Sequence, residues 1–437
     1  MRTKEYILEL IDTALNSVQA DHLEAGIYNY EQGVTRFANS MIHQNVVKEA
    51  DELWARVIFG KKIGGISIGS LDKERLRGGM QIAALLAKHQ KEDTGFNSLP
   101  SGTGVEQMGK LYFVDPYERA RCVEKIVSVA KKHNLTAAGV IYSTCVMLGI
   151  GNSLGIRSIG SRMSASIDVT VMSADSSGYA GKTVSNFSEM DSETLANIAC
   201  EKAILSRKPT EISPGKYTVL LEPCAVAELL GFLNYIGFGA KSYHEGTSFM
   251  SDKIGKKITG NNITILDDTY HPDSIGFHFD YEGMPKEKVV LIEKGIARNV
   301  VYDSYYAYKE GKKSTGHAIP QPNAYGPYPM NIVLIPGDKT REDMLATIRD
   351  GILITRFWYT RLIDPDKTLI TGMTRDGTFL VKNGKLTKGI KNLRYTVNIL
   401  ETLKNVLLVS KESKLIGSSI VPSLLIKDFN FSGKTEY

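Results

Sequence analysis

The sequence predicts an α+β protein, with an N-terminal region of helices and antiparallel sheet and a large C-terminal antiparallel β-rich domain. Apolar residues at helical spacing alternate with short β-rich runs through roughly the first half of the chain. Beyond residue 212 short strands dominate, separated by turns such as Asn383-Gly384. Regular strand–helix–strand alternation is missing, which argues against a doubly wound sheet. At 437 residues the chain is too long for one core. Shifts in texture divide it into segments 1–95, 110–208 and 212–437.

The first helix is expected over 5–18, where Ile7, Leu8, Ile11, Leu15 and Val18 share one side. Residues 25–69 read as an antiparallel meander of short strands broken at Gly and Asn. A second helix is expected from Leu71 to Lys88, with Leu76, Met80, Ala83, Ala84 and Ala87 on one side. The polar run 92–109 reads as a linker or long loop. A third helix near 116–133 leads into strands at 138–148 and 164–174, then a turn-rich run at 175–181. A fourth helix is expected at 192–205. Helix–strands–helix thus occurs twice, consistent with a duplication. Tyr217-Thr-Val-Leu-Leu reads as a buried strand, followed by a helix with Pro223 in its first turn. Short strands follow at 257–259, 263–266, 288–292, 332–335, 369–373, 378–381 and 393–399, with Arg375-Asp-Gly377 expected as a turn.

Composition excludes several function classes. The 53 basic and 48 acidic residues are interspersed, for a net charge of +5. Without a block of like charge, nucleic acid is not an expected partner. Cys122, Cys145, Cys200 and Cys224 form no CxxC unit and read as reduced thiols in a cytoplasm. The N-terminus is charged where a signal peptide would be apolar. Residues 134–156 lack charge, but their glycines and polar residues fit a buried strand and turn better than a membrane span.

The chemistry-bearing motifs are individually weak. Gly104 to Lys110 has phosphate-loop spacing, but Leu111 stands where a hydroxyl would hold magnesium. Gly149 to Gly155 is one residue too long for a dinucleotide fingerprint. His244-Glu245 suggests a zinc peptidase, yet Ser248 stands one turn on and the flanking glycines are poor helix context. In a strand, His278, Asp280 and Glu282 would share a face. With His271 nearby, that run is a candidate oxygen/nitrogen metal site, and capped turns or ion pairs are the competing reading. Ser314-Thr315-Gly316-His317 is a candidate peptide- or anion-binding loop through its backbone N–H groups, or a simple turn.

Several runs together resemble the TldD/PmbA family, often labelled modulator of DNA gyrase. They are Val34-Thr-Arg-Phe-Ala-Asn-Ser-Met-Ile-His-Gln-Asn45, Ala138-Gly-Val with Asn152-Ser-Leu-Gly155, and Ser213-Pro-Gly-Lys-Tyr-Thr-Val-Leu-Leu-Glu-Pro223. Glu245-Gly-Thr-Ser-Phe-Met-Ser-Asp-Lys-Ile-Gly255, Phe279-Asp-Tyr-Glu-Gly283, Ser314-Thr-Gly-His317 and Arg375-Asp-Gly-Thr-Phe-Leu380 continue the resemblance along nearly the whole chain. The resemblance implies a cytoplasmic zinc metallopeptidase of two related subunits enclosing a chamber for unfolded peptides. The catalytic TldD-type subunit carries HExxxH on a helix upstream of Gly-Thr-Ser, plus a C-terminal cysteine ligand. Here the corresponding stretch, Gly231-Phe-Leu-Asn-Tyr-Ile236, holds neither His nor Glu, and the last cysteine is Cys224. The expectation is therefore a PmbA-type (TldE-type) subunit with no catalytic residue, metal ligand or cofactor of its own. Zinc is expected in a TldD-type partner; the alternative partner is a second copy. His244, His271 and His278 remain the candidates for a rearranged metal site, and a peptide-binding homodimer without catalysis is the third reading.

Overall fold

The computed structural model describes residues 1–69 and 72–435. Its first half contains α1 (Lys4–Leu15), β1 (His22–Ala38), β2 (Met41–Phe59), β3 (Lys62–Ile68), α2 (Lys73–His89), β4 (Glu106–Met108), α3 (Pro116–Lys132), β5 (Thr136–Asn152), β6 (Arg157–Met172), β7 (Ser177–Val184) and α4 (Ser192–Leu205). Leu71, the expected start of the second helix, lies outside the described residues. Thr3, Asp72, Asp115 and Asp191 cap the four helices, each side chain accepting a first-turn N–H that has no partner within the helix.

The strands form one sheet in the order β3-β2-β1-β5-β6-β4, with β7 also on β6. β1 runs antiparallel to β5 from Glu24↔Asn152 to Phe37↔Gly139, so segments 1–95 and 110–208 share a sheet. The order helix, three strands, helix occurs in each. Helices cover one face: α1 and α2 pack on β1–β3, and α3 and α4 on β5–β7.

In this half three expectations at the level of elements are corrected. Residues 22–38 form one long strand rather than short strands broken at Gly33. A Cβ at Gly33 would lie 2.2 Å from Arg119 Nη1, so glycine there lets the buried Arg119 side chain cross the strand. The run 175–181 contributes to β7, where Gly178 lies against the α4 backbone, 2.2 Å from a built Cβ to Ala199 O. The linker 92–109 contains β4, paired in parallel with β6. Residues 134–156 lie mainly in β5, and among the described residues no helix is long and apolar enough to cross a membrane.

The second half contains β8 (Gly215–Leu221), α5 (Pro223–Gly237), α6 (Ala240–His244), β9 (Ile265–Asp267), β10 (Val289–Glu293), β11 (Ile296–Ala297), α7 (Ser304–Lys309), β12 (Ile332–Leu334), α8 (Arg341–Ala346), β13 (Asp350–Asp364), β14 (Leu369–Lys382), β15 (Lys385–Gly389), β16 (Leu393–Asn398), α9 (Ile399–Lys404), β17 (Val406–Ile416) and β18 (Ser419–Lys434). Its sheet is mixed: most pairs are antiparallel, but β8 runs parallel to β13 and β12 to β18. The pairs β18–β16, β16–β14, β14–β13, β13–β8 and β8–β18 close a ring around an apolar core that α5 also covers. Arg375-Asp-Gly377 is a bulge inside β14 rather than a turn between strands. Asp376 (φ 50°) and Gly377 (φ 127°) together oppose one residue of β13, and the Arg356 guanidinium holds the Asp376 carboxylate.

The halves meet on the helix-free face of the first sheet. Phe277 and Phe279 pack there with Trp54, Val146, Leu148 and Ile150. Gly160 of β6 lies beneath them, a built Cβ falling 2.9 Å from each ring. Arg56 crosses the same seam. Its guanidinium donates two 2.9 Å hydrogen bonds to Glu24 and reaches Glu282 Oε1 at 3.4 Å.

Candidate functional site

The loop 314–317 directs its hydrogen bonds inward. Thr315 N and His317 N donate to Tyr302 O, and Gly316 N donates to Ser314 Oγ. Gly316 sits at φ 71° against the backbone of Pro285 and Lys286, a position open to glycine alone. His317 is fully buried. Its Nδ1 lies 2.9 Å from Thr315 Oγ1 and its Nε2 lies 3.0 Å from Asp267 Oδ1, while Asn331 N donates to Asp267 Oδ2 at 2.7 Å. Burial alone would raise the Asp267 pKa. The His317 hydrogen bond and charge, the Lys286 charge and the Asn331 N–H outweigh it and hold the carboxyl below its ordinary range. The Thr315 hydroxyl also contacts both N and O of Tyr302. This alignment of hydroxyl, imidazole and carboxylate therefore braces the loop.

The other histidines do not converge. His244 ends α6 and approaches Glu310 at 3.4 Å, while His271 Nδ1 accepts from Asp273 N. The His278 ring lies tilted at 41° to Tyr270 with centroids 4.6 Å apart, and burial lowers its pKa. Residues 277–283 form no strand that would align His278, Asp280 and Glu282: Phe279 makes an isolated bridge to Pro285, and the chain turns at 281–282. Asp280 accepts three backbone N–H groups, from Glu282, Met284 and Ala318, whereas Glu282 faces Arg56 and Ser304. Among the described residues no group of three His, Cys, Asp or Glu is placed to hold a metal. The stretch 231–236 lies on α5, where Leu233 and Ile236 are buried in the apolar core. Cys224, at the start of the same helix, has its thiol pushed up to about 11 by burial. A zinc ion has no fitting donor set there.

Two concave features are large enough to bear on peptide binding. A cleft of about 460 Å³ at the seam is lined by Arg56, Asp93, Lys241, Asp303, Tyr305 and Tyr306. Burial, with the Glu282 charge, raises the Asp303 carboxyl to about 7. A groove of about 500 Å³ runs between β7 and β17, lined by Gly181, Thr183, Val184, Pro272, Ser413 and Leu415. Among the described residues β7 pairs only with β6, and 413–415 of β17 pair only with β18. The groove is thus bordered by two strand edges that present unpaired backbone groups, the feature to which an extended peptide adds. Reading 175–181 as a turn hid this groove, and nothing in local sequence brings β7 to β17. Asp267 as the partner of His317 was equally invisible, 50 residues away.

The sequence profile described as the PmbA/TldA metallopeptidase C-terminal domain matches residues 214–433. A metalloprotease of Methanothermobacter thermautotrophicus is 27% identical over 224 residues, 49% of this chain and 47% of its own. A metalloprotease TldD homologue of Buchnera aphidicola is 28% identical over 224 residues, 51% of this chain and 44% of its own. These alignments span about half the length of each relative. The crystal structure of TldE from Thermococcus kodakarensis shares the fold with a TM-score of 0.87 at 21% identity, covering 98% of this chain and all of that one.

Proposed function

Since the chain belongs to the PmbA/TldA metallopeptidase family, we propose that it is the peptide-holding, non-catalytic subunit of a cytoplasmic peptidase whose zinc sits in a TldD-type partner. The observation that carries this reading is α5. The stretch that the family resemblance sets against the metal-binding helix, 231–236, holds no His, Cys, Asp or Glu, and its Leu233 and Ile236 are buried in the core, so it has no acid, base or ligand to offer a scissile bond. What the chain does offer a peptide is backbone hydrogen bonding along the β7–β17 groove, with side-chain selection left to alternate positions of the bound strand. Four unpaired cysteines suit the reducing compartment.

The test is co-expression with a TldD-type protein of the same family, followed by co-purification and assay on an unfolded peptide. The expected result is a stable complex whose hydrolysis exceeds that of the partner alone. A chain that neither joins the partner nor binds peptide overturns the proposal. Hydrolysis by the isolated chain, lost in His244→Ala or His278→Ala, would instead establish a self-sufficient enzyme.

A further inference from the structure

A smaller cavity of about 80 Å³ opens beside the groove, where residues 275–281 cross β6. Its lining includes Arg162, Lys286, Asn331, Ser418, Phe277 and Tyr281. Two cations therefore share one small space. Arg162 Nε is buried without a hydrogen-bond partner, and the guanidinium lies 5.1 Å from the Phe277 ring centroid. Lys286 is 6% exposed, and its ammonium donates to Asn331 Oδ1 at 3.1 Å. Among the described residues neither cation forms an ion pair. The carboxylates near Lys286 are committed elsewhere: Asp267 to His317 and Asn331 N, Asp280 to its three backbone N–H groups.

Burial depresses the Lys286 pKa; the Asp267 and Asp280 charges oppose that depression, and the Arg162 charge adds to it. An anion seated between them would relieve both effects, because an opposite charge favours the ionised form. The volume suits a group of a few heavy atoms, and the planar guanidinium fork matches a carboxylate.

The placement says which carboxylate. Arg162 lies three residues along β6 from Ala165, the partner of Val184 in the last β6–β7 pair, or about 10 Å. Groove and cavity draw on neighbouring positions of the same two chain segments. Pro272 and Asp273 line the first and Ile275 and Gly276 the second; Ser413–Leu415 of β17 line the first and Ser418, in the following turn, the second. A strand lying in the groove would deliver its end here. We propose that Arg162 and Lys286 form a carboxylate pocket that captures the C-terminal carboxylate of an extended peptide held in the β7–β17 groove. This rests on the peptide-holding reading above.

The test uses the full chain and an N-terminally fluorescein-labelled nonapeptide of alternating Thr and Val, followed by fluorescence anisotropy. Three forms are compared: free acid, C-terminal amide, and amide with Glu as its last residue. The free acid is expected to bind about tenfold more tightly than the plain amide, as for a charge-assisted hydrogen-bonded group. Arg162→Met and Lys286→Met should each bring that ratio near one. Equal binding of acid and plain amide by the wild type overturns the pocket and leaves the groove reading standing. A Glu-ended amide that matches the free acid overturns the assignment to the peptide terminus. If no form binds, the peptide-holding reading falls, and propionate then decides the pocket alone. A melting temperature raised by propionate in the wild type but not in Arg162→Met supports it, and no rise overturns it. Arg162 is only partly buried, so its variant remains informative if Lys286→Met fails to fold.

Discussion

His317 Nε2 lies 3.0 Å from Asp267 Oδ1, and both side chains are closed off from solvent. Removing one partner of such a pair strands the other without compensation. His317→Ala is expected to cost about 3–5 kcal/mol, read from urea denaturation at pH 7. The pair also has a pH signature. The Asp267 carboxyl is depressed in the folded chain, so its contribution is present above the unfolded value of about 3.9 and is lost as pH falls through the lower folded value. Asp267→Asn should weaken the protein at pH 7 and reduce that acid-side loss.

Asp303 has the opposite sign. Its carboxyl is raised to about 7, so the stability it contributes is complete below about pH 4 and is lost as pH rises to about 7. Urea midpoints measured from pH 4 to 8 should fall by the equivalent of about 2–4 kcal/mol from this group. Asp303→Asn should flatten the fall, since asparagine keeps the α7 cap that Asp303 provides to Tyr306 N. A variant with an unchanged slope would show that Asp303 does not titrate as described.

Gly160 sets how closely the two halves approach. Gly160→Val would drive methyl groups into the Phe277 and Phe279 rings and is expected to cost about 1–3 kcal/mol. Gly69→Val serves as the control for loss of glycine flexibility in differential scanning calorimetry: Gly69 has open space around it and, like Gly160, no left-handed φ. A Gly160→Val chain as stable as the wild type would mean the seam relaxes freely.

Thr183 faces the groove from the strand edge and is half-buried. Thr183→Trp should fill the groove and weaken peptide binding about tenfold or more, while the melting temperature stays within a few degrees. Undiminished binding would move the peptide site to the seam cleft beside Asp303.

Elemental analysis of chain purified without a metal-binding tag should find far less than one zinc per chain. A stoichiometric zinc content that survives dialysis would reveal a donor set outside the geometry described above.

How much of this was legible in the sequence depended on range. The helices were readable because apolar spacing is local: Leu76, Met80, Ala83 and Ala87, read as one side of the second helix, are the buried face of α2. Strands interrupted by glycine were misread because glycine has two uses. At Gly33 and Gly178 it permits close contact with a distant side chain or helix, which local sequence does not record. The resemblance runs were legible, and many of their polar residues hold the fold together. Thr35 and Asn45 anchor Arg119, and the Asn152 side chain accepts from Leu154 N and Ile156 N in the β5–β6 turn. The groove and the two-cation cavity were not legible, because their walls come from residues more than 200 positions apart.

β18 follows all of its partners in the chain. It pairs with β8, β12, β16 and β17, which makes it the common neighbour of strands synthesised earlier. During translation, the second half must wait with those strand edges uncovered until residue 419 and beyond leave the ribosome. The first sheet has no such delay, since its strands are complete by residue 184. Nascent chains should therefore pass through a stage with one half folded and the other dependent on chaperones. A frameshift or stop ahead of residue 419 would leave that stage permanent, and the cell's proteases would meet a half-finished β domain rather than a slightly shortened protein.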